Sequence, residues 1–327
     1  ELGGGALSGS PSPASAGADT AARSPVDRPE RLVRPDGVTV GWRVCTPTAA
    51  VMDGAPAAPV PAVLLVHGLA SNLSRFEEFV EHTGLARRHA MIRIDLRGHG
   101  SSLTRRRIDL PTWCDDLAAV LDAQRAATAI VVGHSLGAQV ALHFAARHRG
   151  RTAAVALIDP VFREALHGRS LWWTRSTPLL AAAARVVRGL NALGLHRRRL
   201  EPLDLRALDR LAREALQSPA AEQAFIERYS SMRADLRHVP LAVYLQDLAE
   251  MFRAAPRPCD LDVPVLALLS SGATFADADR MRALLAGPRV TIRAIECHHW
   301  PLTERPLEVR QAIEEWVGAL GTAPDRR

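Results

Sequence analysis

The stretch AIVVGHSLGAQVALHFAAR, Ala129 to Arg147, sets a serine between two glycines, after an apolar run and before a helix-like one. A nucleophile at a sharp strand-to-helix turn needs small neighbours, and Gly133 and Gly137 stand two residues either side of Ser135, giving G-x-S-x-G. A helix starting there points backbone N–H groups at the site, and its dipole favours developing negative charge. Glycine-flanked serines also occur in plain turns. Here the strand before and the helix after supply the context that the chemistry needs.

Working outward, short apolar runs alternate with amphipathic segments. VTVGWRV (38–44), AVLLVHG (62–68), MIRIDLRGHG (91–100), AVALID (154–159), VPVLALL (263–269) and VTIRAI (290–295) read as strands or strand ends. Helices are expected around Phe76–Val80 and Trp113–Leu121, and over 135–147, 277–285 and 306–320. Strands alternating with helices predict an α/β fold with a mainly parallel, doubly wound sheet. Residues 160–257 contain no clear strand and read as an inserted helical cap. The core is then 36–159 and 258–320. Residues 1–35, rich in Gly, Ala, Ser and Pro, read as a disordered leader, and 321–327 as a frayed tail.

Composition narrows the class. The chain has 327 residues, 47% of them apolar, which is ample for a packed core. Its formal net charge is +6, and all 41 basic residues are arginine. A lysine-free, Ala-, Gly- and Pro-rich chain points to compositional bias. Without a nucleic-acid-binding motif, no nucleic-acid partner is expected. No apolar run is long enough for a membrane span, so no membrane partner is expected. Cys45, Cys114, Cys259 and Cys297 form no CxxC pair and no disulfide framework, so a reduced, cytoplasmic setting is the default.

Two further segments carry chemistry. HGLASN (67–72) follows a buried strand. Ester cleavage needs two N–H donors aimed at the oxyanion. Leu136, after the serine, can supply one. The turn at Gly68 can supply the other from Leu69. CHHWPLTERP (297–306) follows the last strand, where a histidine can reach the sheet edge that bears Ser135. A serine hydroxyl needs such a base to attack at neutral pH.

The order HGLASN, DLRGHGSS, GHSLGA, ALIDP, helical insertion, HHWPLTERP resembles the α/β-hydrolase superfamily over roughly residues 36–320. The resemblance implies Ser135 as nucleophile and His299 as base, with no cofactor and no metal. Relatives often carry a glycine where His298 stands. The acid is open. Many relatives place it after the penultimate strand, where this chain reads SSGATFADADRM, with Ala273 and Thr274 near the expected place and Asp277 (less so Asp279) close by. Others place it one strand earlier, where Asp159 stands. Asp159 is preferred. Each has a bland reading, Asp159 as a turn cap and Asp277 as a helix N-cap. Asp95, Arg97 and His99 read as structural, and His134 as a packing residue pointing away from the serine.

The cap is expected to choose the substrate. It holds Trp172, Trp173, Phe225, Tyr229, Met232, Tyr244 and Met251. Trp172 and Trp173, with Gly68, are the candidate substrate contacts. The run Arg197–Arg199 could meet an acidic carrier protein or coenzyme A phosphates, although a solvated arginine loop is the simpler reading. The expectation is a serine hydrolase for a small-molecule ester, lactone or thioester. Carbon–carbon bond hydrolysis, or acyl transfer and cyclisation at the same site, is the first alternative. A ligand-binding relative without turnover is the second.

Overall fold

Strands covered on both faces must be largely apolar, and those at the centre of this sheet are, with Arg93 of the fourth strand the buried charged exception, paired with Asp27. β3 (Ala62–Val66), β4 (Met91–Ile94) and β5 (Ala129–His134) are buried throughout, and β6 (Thr152–Ile158) and β7 (Val265–Ser270) nearly so. The computed structural model describes residues 27–47, 60–168, 170–215, 227, 231–272 and 276–321, with only the backbone for Ser170, Trp173 and Ala215.

Among the described residues the sheet has eight strands in the order β1-β2-β4-β3-β5-β6-β7-β8. β1 (Asp27–Val33) and β2 (Thr39–Cys45) form an antiparallel pair, and β2 runs antiparallel to β4. The remaining neighbours, out to β8 (Val290–Ile295), are parallel. β1 corrects the expected leader, since residues 27–33 are a paired strand rather than part of a disordered segment. Its sequence, DRPERLV, carries the charge and proline that protect an exposed sheet edge, which is why it does not read as a strand. Residues 1–26 and 322–327 lie outside the described residues.

Helices cover both faces. One core layer joins Leu64, Ile92, Val131 and Val155 to α2 (Leu110–Ala123), α3 (Leu136–Arg147) and α9 (Ala278–Leu285). The other joins Val63, Leu65, Val132 and Leu268 to α1 (Glu77–His82) and α11 (Pro306–Leu320).

Between β6 and β7 come the helices of the insertion. Among the described residues these are α4 (Ser170–Arg175), α5 (Thr177–Ala192), α6 (Leu205–Ala215), α7 (Met232–Asp235) and α8 (Leu241–Met251). Polar ties hold them to the core. Gln246 and Glu250 on α8 accept the backbone N–H groups of Ile108 and Leu110, each at 3.1 Å. Asp247 meets His99 at 3.0 Å with both side chains fully buried. Buried polar groups on a helix need partners, and here the core supplies them.

Candidate active site

The strand β5 ends at His134, and the chain then turns at Ser135 with φ 53° and ψ −114°. A non-glycine residue holds such a conformation only where its surroundings enforce it. The Ser135 N–H is tied to Ile158 O of β6 at 3.0 Å, and α3 begins at the next residue. Both flanking glycines are obligatory. A Cβ at Gly133 would overlap the Gly137 carbonyl, and one at Gly137 would overlap the carbonyl oxygens of Val66 and His67.

Ser135 Oγ lies 3.0 Å from His299 Nε2, and His299 Nδ1 lies 2.5 Å from Asp159 Oδ2. His299 sits in the turn between β8 and α10 (Pro301–Glu304). Asp159 directly follows β6 with φ 44°. Its other oxygen, Oδ1, accepts the Ser270 N–H at 3.0 Å. Burial pushes the Asp159 carboxyl up, but the His299 charge and hydrogen bond, helped by Ser270, outweigh it and hold the group below the usual carboxylate range. Asp277 is elsewhere. It caps α9, accepting the N–H groups of Asp279 and Arg280, and those bonds keep its carboxyl low. Of the two candidate acids, the structure therefore brings Asp159 to His299. Ala273 and Thr274 lie outside the described residues. The adjacent histidines diverge, with His298 Nδ1 turned to Glu304 at 3.0 Å.

Gly68 packs against the turn at Ser135, where a Cβ would stand 3.1 Å from His134 O and 3.3 Å from Ser135 Cβ. His67 fixes this turn. Its Nε2 accepts the Leu96 N–H at 3.0 Å, so Nδ1 carries the proton and donates to Gly68 O at 2.8 Å. Burial and the neighbouring His99 hold His67 neutral, well below the ordinary histidine pKa. Leu69 lines the cavity above Ser135, and Leu136, in the first turn of α3, has no intrahelical acceptor for its N–H. Asp95 is structural, accepting the N–H groups of Leu73 and Ser101 at 2.8 and 2.7 Å. His134 does not point away. Its ring lines the cavity, 5.7 Å from the His299 ring, and its Nε2 lies 3.2 Å from His299 O. Burial and the His299 charge push it down to about 3, so it is neutral.

A cavity of about 670 Å³ opens over Ser135 and His299. Its cap-side wall is largely apolar, from Leu203, Leu205, Leu208, Leu248, Met251 and Phe252. Trp172 is not part of it: the side chain is 62% exposed, because α4 sits on the solvent side of the cap. The Trp173 side chain, Phe225 and Tyr229 lie outside the described residues, and Met232 is half exposed. Trp300 and Tyr244 line the cavity instead.

Two polar groups here escape sequence reasoning, because only the cap packing brings them in. Burial raises the Asp235 carboxyl to about 7, a shift its hydrogen bond with Tyr244 only partly offsets. Arg75 Nη1 donates to both oxygens of Asp209 on α6, at 2.8 Å each, and to Thr303 Oγ1 at 2.7 Å.

Comparison with known proteins agrees with this architecture. Over 100 residues the chain is 34% identical to the 2-(acetamidomethylene)succinate hydrolase of Mesorhizobium japonicum, covering 30% of this chain and 35% of that protein. Over 98 residues it is 37% identical to a pimeloyl-[acyl-carrier protein] methyl ester esterase of Chromobacterium violaceum, covering 30% and 36%. The matched stretches thus span about a third of those relatives. A thermophilic esterase from Thermogutta terrifontis superposes with a TM-score of 0.63 at 20% identity, over 90% of this chain and 100% of that one, a likeness of fold. The model of the alpha/beta hydrolase family matches residues 63–312, from β3 into α11 and through the insertion, so this chain belongs to the alpha/beta hydrolase family.

Proposed function

We propose that the chain is a serine hydrolase for a small acyl substrate, an ester, lactone or thioester. The observation that carries this reading is Ser135 Oγ, 3.0 Å from His299 Nε2 at a strained turn under the cavity. His299 takes the Ser135 proton as the oxygen attacks the carbonyl. Asp159 keeps the His299 proton on Nδ1 and stabilises the imidazolium without taking the proton itself. The N–H groups of Leu69 and Leu136 hold the oxyanion, and the dipole of α3 adds to them. His299 returns the proton to the leaving group, then activates water to release the acid.

The apolar cap wall favours a hydrocarbon acyl portion. The names of the esterase relatives support acyl chemistry in general and no particular substrate. The 3.0 Å serine–histidine contact argues against a relative that merely binds.

The test is covalent labelling by a fluorophosphonate, followed by turnover of short-chain esters and thioesters with product analysis. Labelling of the wild type, lost in Ser135→Ala and suppressed in His299→Ala, is expected. Products identify the acceptor, with free acid meaning hydrolysis and a new ester or ring meaning acyl transfer. A folded wild type that neither labels nor turns over any acyl substrate overturns the proposal.

A further inference from the structure

The cap helix α5 is apolar on the face it shows to solvent as well as on the face it packs against the cap. A surface helix normally buries its apolar stripe and shows polar groups to water. Here Leu180, Ala184 and Arg188 face inward, with Arg188 Nη1 2.8 Å from Gln246 Oε1 of α8. The outward face carries Leu179, Ala182, Val186, Leu190 and Leu193, at the spacing of one helical stripe about 20 Å long. Leu179, Val186 and Leu193 are 70%, 64% and 77% exposed. Leu171 and Trp172 of α4 continue the exposed apolar surface at one end, and Leu195 at the other.

Charge sets the second condition. Between Glu164 and Glu201 the sequence holds Arg169, Arg175, Arg185, Arg188 and Arg197 to Arg199, and no aspartate or glutamate. Arg175, Arg185, Arg198 and Arg199 are exposed around the stripe. A second copy of this chain is a poor occupant, because a two-fold contact would set one acid-free arginine segment against another. An acidic protein is the other class of partner that the arginine rim would attract, and its capture without vesicle binding is a refuting outcome of the test below. Apolar residues rimmed by arginine suit the boundary between headgroups and acyl chains.

We propose that the outer face of α5, with α4 and the Arg197–Arg199 turn, docks the cap on an anionic phospholipid surface. The helix lies in the interface, since among the described residues no helix is long and apolar enough to cross a membrane. This departs from the expectation of no membrane partner, because the side that α5 shows to solvent is not legible before the cap is packed. The docking stands apart from the acyl chemistry and holds with or without it.

The test is co-sedimentation of the full chain with phosphatidylglycerol/phosphatidylcholine vesicles, against phosphatidylcholine alone. Binding to the anionic vesicles that weakens with salt is expected. Leu179→Gln/Val186→Gln/Leu190→Gln is expected to lose on the order of 100-fold in partitioning. Arg185→Gln/Arg198→Gln/Arg199→Gln is expected to lose about fivefold per arginine, and with it the preference for anionic lipid. These side chains face solvent, so both variants keep the wild-type melting temperature. Absence of vesicle binding by the folded wild type overturns the proposal, as does binding unchanged in both variants. So does a dimer that the leucine–valine variant splits, or capture of an acidic carrier protein without vesicle binding.

Discussion

Replacing Asp159 by asparagine tests the assignment of the acid, and the structure says how the change acts. The Ser270 N–H, 3.0 Å from Oδ1, requires an acceptor at that position. The new amide therefore places its oxygen there and its NH2 toward His299 Nδ1, now 2.5 Å from an acceptor. The imidazole must switch its proton to Nε2, which then faces the Ser135 hydroxyl as a donor and cannot accept its proton. The imidazolium also loses its counter-charge. Two unit charges about 3.5 Å apart at an effective dielectric of about 20 attract by about 5 kcal/mol. That corresponds to roughly 10³–10⁴-fold in rate. The assay is the second-order rate of fluorophosphonate labelling, with thermal unfolding to confirm the fold. Asp159→Asn should slow labelling by that factor, and Asp277→Asn should leave it within about twofold, given that triad losses run near 10⁴. Labelling retained within about tenfold in Asp159→Asn, an order well short of that triad loss, would refute the reasoning.

Other perturbations report on parts of the same construction. Gly133→Ala should fail to yield soluble folded protein, because its Cβ has no room beside the Gly137 carbonyl; a normally melting variant contradicts the packing. Asp209→Ala strands the buried Arg75 charge and should cost about 3 kcal/mol in denaturant unfolding, with Arg75→Met/Asp209→Leu recovering most of it. A loss below about 1 kcal/mol would mean that the pair is a surface-type contact. Asp235 gives a pH signature. Its carboxyl is raised from 3.8 to about 7, so the folded state holds the proton more tightly than the unfolded chain. Its contribution is complete below pH 3.8 and is lost as pH rises through about 7. Asp235→Asn should therefore be relatively more stable than wild type at pH 8 than at pH 4, measured as the difference between two urea-unfolding series, and an unchanged difference counts against the burial.

The centre of the sheet was legible because buried parallel strands leave continuous apolar runs, as in AVLLV and AIVVGH. The edges were not, since DRPERLV looks like a charged loop until its pairing with β2 is seen. The elbow at Ser135 follows from its glycine spacing, whereas His299 rather than His298 is singled out by the family resemblance and not by the local pattern. The acid follows from neither, because Asp159 reads equally as a turn cap and Asp277 as a helix N-cap until one is seen beside the imidazole and the other capping α9. His134 reads as a packing residue, because the place of its ring is set by tertiary packing that the local sequence does not display. Its strand continues to the last residue before the elbow, and the turn at Gly68 leaves its ring beside His299. Asp235 and the Arg75–Asp209 pair depend on how the cap sits on the core, which no local pattern encodes.

The elbow at Ser135 also bears on how this protein would respond to selection for heat resistance alone. A side chain held at φ 53°, ψ −114° costs on the order of 1–3 kcal/mol, which a residue without a Cβ would recover. Ser135→Gly is thus expected to stabilise the chain, and it deletes the oxygen on which the proposed mechanism depends. Under the proposed mechanism, a library ranked only by melting temperature would drift toward inert proteins through this single codon. Thermal improvement of this scaffold has to be scored for survival of the serine, and a rise in melting temperature that maps to position 135 is a warning rather than a gain.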